Sequence, residues 1–345
     1  MEPVLRNGVA LVEEITSWLR LPAEELDARV IGEEAHRVLL DVAALNAAAA
    51  AGDQEAFRLQ QLLLARIYDL FMKIPDEPTA EGSVVVNGVL TALERATIAA
   101  EDAAVDWAVV DAAPTTPAEY LSWLKQSARG HRVFKHPYYM KFIRNHATAA
   151  HLRKYVIQES VVDGRFDDLL ALMQVGTAGP AKMEIANNFW DEMGNGRPDE
   201  VHTTLFNQLY DVFDITPQEL EDSLTATALL SGNLAVLLCR YRRFYPEAVG
   251  FLGMTEWLVP DRFVQVVGAW ERLGLPEVGI VYHRLHITVD SQHAAGWFHN
   301  IVSPSAGSAY MRRGIARGTL WRLNSSARYL DERLAEVADL ITAGT

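Results

Sequence analysis

The chain has 345 residues, half of them hydrophobic, and a net charge of -14. That length suffices for one large domain or two ordinary ones with a sizeable core. The acidic balance and the absence of a long basic run exclude nucleic acid and anionic membrane surfaces as natural partners.

In chain order, amphipathic periodicity predicts helices over Val38–Ala51, Glu55–Lys73 and Gly88–Val110. Between the last two, Ser83–Gly88 (SVVVNG) is the only strand-like run. Further helices are predicted over Ala118–Ser127, Thr148–Gln174, Lys182–Met193, Asp199–Phe213, Pro217–Tyr245, Pro260–Leu273, Glu277–Asn300 and Ser308–Ala343. Breaks are expected at Pro75–Pro78, Ala113–Pro117, Gly176–Pro180, Gly194–Pro198, Asp214–Pro217, Pro246–Gly253 and Ser303–Gly307. The class is all-α. The single cysteine, Cys239, excludes an intrachain disulfide and lies in an apolar run, as a buried small hydrophobe would. The chain start lacks a basic segment followed by an apolar run, and no stretch approaches an uninterrupted membrane span. A cytoplasmic protein is expected.

The Ala112–Pro117 stretch (AAPTTP) reads as a boundary. Residues 1–112 are Ala-rich and chemically sparse, as in a helical accessory or dimerisation module. Residues 118–343 carry nearly all the chemistry.

Within YHRLHITVDSQHAAGWFHN, the residues His286, Asp290 and His293 stand at i, i+4 and i+7. They project within an arc of roughly 60° on one helix face. Two imidazoles and a carboxylate facing one way suit a first-row metal such as iron. Four positions elsewhere complete a set: Glu159, Glu192, His202 and Glu256. By base rate, Glu159 is a surface carboxylate and His202 a satisfied core histidine. Glu192 ends a helix, where the dipole disfavours a carboxylate. Glu256 sits in the apolar run FLGMTEWLVP and needs a partner if buried. His283, seven residues before Asp290 and near the same face, reads first as a surface histidine, with a hydrogen-bonding partner to a ligand or an alternative ligand as the other readings.

This order of ligands, the spacing Glu192-x9-His202 and the Asp-Glu-x-Gly-x-Gly run Asp191–Gly196 resemble the haem-oxygenase-like diiron oxidases and oxygenases. The resemblance covers about residues 118–343. It implies a seven-helix core around two iron ions, Fe2+/Fe3+, with O2 as co-substrate. One iron would be held by Glu159, His202 and Glu256, with Glu192 as a further metal ligand. The other would be held by His286, Asp290 and His293. Whether Glu256 or Glu159 bridges stays open. Two ferrous ions offset four carboxylates, and the same carboxylates offset two ferric ions plus doubly reduced dioxygen. An acid at the Glu192 position is associated in the family with N-oxygenation, which gives Glu192 a catalytic role.

The expected function is therefore a nonhaem diiron N-oxygenase. It would oxidise a small-molecule amine to a hydroxylamine, with nitroso or nitro products open, in natural-product biosynthesis. Oxidative C–C cleavage of an amino or fatty acid is the alternative, and a non-catalytic helical binding protein is the alternative of another class. Ferritin-like diiron sites need two Glu-x-x-His pairs. The chain offers only Glu33-x-x-His36 and the approximate Asp199-x-x-His202. Candidate substrate contacts are Arg312, Trp190, Trp297 and Tyr310. Expected partners are an amine substrate, an external electron donor and a second copy in a homodimer.

Overall fold

The computed structural model describes residues 2–342, with side chains described for residues 8–340. Every regular element among them is helical, so the chain is all-α. No single described helix is long and apolar enough to cross a membrane. The chain divides into two compact units, Met1–Ala104 and Val105–Thr345. The division falls before the Ala112–Pro117 break, which lies inside the second unit.

The first unit contains α1 (Glu2–Trp18), α2 (Ala23–Arg29), α3 (Gly32–Ala50), α4 (Gln54–Met72) and α5 (Val84–Ala103). The SVVVNG run is helical. Ser83 is the N-cap of α5, its hydroxyl accepting from the Val86 N–H, and capping overrides the β-branched preference of the three valines. Asp53 caps α4 in the same way, accepting from Glu55 and Ala56. Leu63, Leu64, Ile67, Val89 and Leu93 are fully buried in this unit. Tyr68 donates to Glu94 among them at 2.9 Å.

The second unit begins with α6 (Trp107–Asp111), α7 (Pro117–Gly130) and a π-helical stretch, Tyr138–Ile143, that runs into the short α8 (Arg144–His146). Then come α9 (Ala149–Asp163), α10 (Phe166–Gln174), α11 (Gly179–Glu192), α12 (His202–Phe213), α13 (Pro217–Ser223) and α14 (Ala226–Arg240). The chain continues through α15 (Tyr245–Leu273), α16 (Val281–Trp297), α17 (Ser303–Ser305), α18 (Ala309–Ala335) and α19 (Ala338–Thr342). The predicted Thr148–Gln174 helix is interrupted at Gly164–Arg165. Ser308–Ala343 is likewise divided, and its last residue lies outside the described residues.

α15 is the centre of this unit, packing against α18, α16 and α14. The expected break at Pro246–Gly253 is instead the first two turns of α15. Its glycines serve packing. A Cβ on Gly250 would stand 2.1 Å from the Ile315 carbonyl oxygen, and one on Gly318 would stand 2.0 Å from that of Glu247. The backbones of α15 and α18 can meet this closely only because neither position has a side chain. Pro260 lies inside α15. It has no N–H to give, so the carbonyl of Glu256, four residues earlier, loses its helical donor.

Candidate metal centre

Four elements bring ionisable side chains to one point inside the second unit. Glu192 comes from the end of α11, His202 from the start of α12 and Glu256 from the middle of α15. His286, Asp290 and His293 come from α16. Each is at least nine-tenths buried.

The ring tautomers follow from the hydrogen bonds. His286 Nδ1 donates to the Tyr282 carbonyl at 2.7 Å, which leaves Nε2 a free lone pair. His202 Nε2 donates to the Asp163 carbonyl at 2.8 Å, which leaves Nδ1 free. These two free nitrogens lie 3.0 Å apart. A Glu192 oxygen stands 2.5 Å from the first of them, His202 Nδ1, and 3.5 Å from His286 Nε2. Three acceptors thus converge with no donor between neutral rings, and a cation resolves the conflict. A second convergence lies on the other side of the same carboxylate. His293 Nε2 donates to Asp191 at 3.3 Å, and its Nδ1 faces Glu192 Oε1 at 3.5 Å and Glu256 Oε2 at 3.7 Å. Glu192 Oε1, His293 Nδ1 and Asp163 Oδ2 are buried without a hydrogen-bond partner.

Ligand atoms of Glu192, His202 and His286 gather within 4.8 Å, and so do those of Glu192, Asp290 and His293. Glu192 belongs to both groups. His286 falls with His202, apart from Asp290 and His293. Seven residues of helix span about 10 Å, so one helix face can serve two positions.

A pocket that opens in part to solvent adjoins the cluster. Its lining includes four carboxylates (Asp163, Glu192, Glu256 and Asp290) and no Lys or Arg among the described residues. Without metal, protons are the cations at hand. Burial opposes charge on His293, yet Glu256 and Glu192 push it up to about 10. Burial, then Glu256 and Glu192, raise Asp290 well above the usual carboxylate range. Burial also works against the Glu192 anion, but His202 and His286 hold that carboxyl well below its ordinary value. The donor set is borderline to hard, nitrogen and carboxylate oxygen, as iron requires.

Other expected residues lie elsewhere. Glu159 accepts from Tyr329 at 2.9 Å and from Tyr139 at 3.4 Å, away from the convergent group. Asp163, one turn further along α9, lines the cluster in its stead, and sequence reading missed it. Burial first, then Glu159, push Asp163 up to about 7. Asn188 was also missed; buried, it donates to Glu256 at 3.0 Å. His283 is fully buried, within 3.2 Å of the Tyr155 hydroxyl and packed edge-on to Phe263, and is no surface histidine. The substrate candidates do not line the pocket. Trp297 is core and donates to the Val249 carbonyl at 3.0 Å. Arg312 donates to the Ala306 carbonyl at 2.5 Å. Tyr310 is exposed and donates to the Arg243 carbonyl, and Trp190 is half exposed beside Gly196.

No curated protein matches the chain. Residues 153–327, just over half of the chain, match the family of iron-containing redox enzymes. That span contains every residue of the cluster. With its haem-oxygenase-like, all-α fold and a buried group of Glu and His side chains that could hold a metal, this chain belongs to the iron-containing redox enzymes.

Proposed function

We propose that this oxidoreductase is a nonhaem diiron N-oxygenase acting on a small amine. The observation that carries the reading is the double convergence on Glu192: two clusters of free acceptors share one carboxylate. Glu192, His202, His286 and Asp163 would hold one iron. Glu192, Glu256, Asp290 and His293 would hold the other, with Glu192 between them.

Bound ferrous ions would supply electrons to reduce O2. One oxygen atom goes to the amine nitrogen to give a hydroxylamine; the other leaves as water, with two electrons and two protons from an external donor. The chain's own residues prepare the site. The Tyr282 and Asp163 carbonyls fix the two imidazoles by accepting their outer N–H groups, and Asn188 orients Glu256. Phe166, Val259 and Phe263 give the pocket an apolar part of its lining. Four carboxylates would offset the charge of two bound ferrous ions. The resemblance ties an acid at the Glu192 position to N-oxygenation.

The test is an amine panel incubated with iron-loaded protein, reductant and 18O2, read by mass spectrometry. A hydroxylamine carrying one labelled oxygen is expected. A shortened product with lost carbon would replace this reading with oxidative C–C cleavage. No oxidised product with stoichiometric iron bound would reject both.

A further inference from the structure

Beside the metal pocket lies a second cleft that the cluster does not use. Its empty space, part of it opening to solvent, is about 480 Å3. Asp163, Val259 and Phe263 line both spaces, so the two adjoin. Two guanidiniums enter it: Arg262 from α15 and Arg322 from α18. Both residues are more than nine-tenths buried.

Neither guanidinium is in an ion pair among the described residues. Arg262 Nη2 donates to Ser326 Oγ at 3.0 Å, and its guanidinium stands over the Tyr139 ring. Arg322 stacks on Phe251, and its buried Nε has no hydrogen-bond partner. Burial and then Arg262 lower the Arg322 guanidinium to about 10. Two buried cations with so few partners are costly unless an anion completes them. Glu159 lies in the same cleft, but its carboxylate already accepts from Tyr329 and Tyr139. Even ionised, it offsets one of the two charges. Asp163 is the other nearby acid, and the cluster claims it. One negative charge is missing, and a guanidinium with free N–H groups is shaped to take a carboxylate.

We propose that the cleft binds the carboxylate of the substrate through Arg322 and Arg262, so that the substrate is an amino acid whose amine reaches the adjoining metal pocket. The assignment of the amine end rests on the N-oxygenase reading; the carboxylate site does not. The proposal places an arginine contact to substrate at Arg322 and Arg262, where the sequence offers Arg312 as a candidate.

The experiment is NMR of the full chain, loaded with Zn(II) as a diamagnetic stand-in so that Asp163 stays with the cluster, with 15N at arginine Nε, titrated with butyrate and separately with butyramide. Butyrate is expected to shift the Arg322 Nε–H signal saturably, while butyramide of the same shape does not. An R322Q variant should weaken butyrate binding at least tenfold, and R322K should recover part of the loss. If butyrate leaves the Arg322 signal in place, or butyramide shifts it equally, the carboxylate site is wrong. The wild-type titration decides this even if R322Q fails to fold. Butyrate binding without oxidation of any amino acid in the 18O2 assay would sink the N-oxygenase reading alone. Amine oxidation without a butyrate shift would sink this proposal alone.

Discussion

At the scale of single residues, the members of the buried cluster were legible and their grouping was not. The sequence offers Glu192, His202, Glu256, His286, Asp290 and His293, and all six converge. It could not tell Glu159 from Asp163, because residues four apart on α9 share a face. Which turn meets the cluster depends on where α12 docks, and the His202 bond to the Asp163 carbonyl settles it. We predict that Asp163→Asn weakens iron binding roughly 10–100-fold, while Glu159→Gln does not. Equilibrium dialysis with Fe(II) measures both, and the reverse ranking would restore Glu159 as the ligand. Glu192→Ala removes an oxygen donor from both groups and should lower iron at both positions. His293→Ala should lower it at one. Iron analysis after anaerobic loading separates these outcomes, and equal losses would count against a shared Glu192.

At the scale of elements, periodicity located most helices and misread their punctuation. Pro246–Gly253 looks like a break because it holds Pro and Gly. Pro246 instead lies in the first turn of α15, where a missing N–H costs little. Gly250 and Gly253 make room, respectively, for the α18 backbone and the Trp297 ring. Pro260 looks like a helix start and is interior. Such tertiary uses of glycine and proline leave no local trace. Gly250→Ala should destabilise the second unit by about 1–3 kcal/mol, since the carbonyl it meets is rigid backbone. For a unit of this size that lowers the melting temperature by about 2–4 °C per kcal/mol. A melting curve unchanged by the substitution would mean that α15 and α18 are not packed this closely.

At the scale of the molecule, the excess of acid is partly internal. Four buried carboxylates line one pocket without a Lys or Arg among its described residues, so metal binding and folding should be coupled. Fe(II) at a hundredfold excess over its dissociation constant should stabilise the chain by about 2.7 kcal/mol. Calorimetry with and without iron reads this, and an unaltered transition would speak against specific binding. No described residue of the first unit belongs to the cluster, and we propose that this unit serves as an accessory or dimerisation module. Residues 105–345 alone should then keep iron binding and lose self-association. Light scattering of the fragment and the full chain compares them, and a fragment that still dimerises would reject that role. The composition of residues 1–112 hinted at such a module, but no charge pattern in them identifies a partner.

The central claim is that the buried cluster holds two iron ions that react with O2. Stopped-flow absorption tests it directly: anaerobic protein loaded with two equivalents of Fe(II) is mixed with O2-saturated buffer. We predict tight uptake of both equivalents and a transient visible band whose decay quickens with the amine that is the substrate. Protein that takes up no stoichiometric iron and shows no band would contradict the account and leave a helical protein without this chemistry.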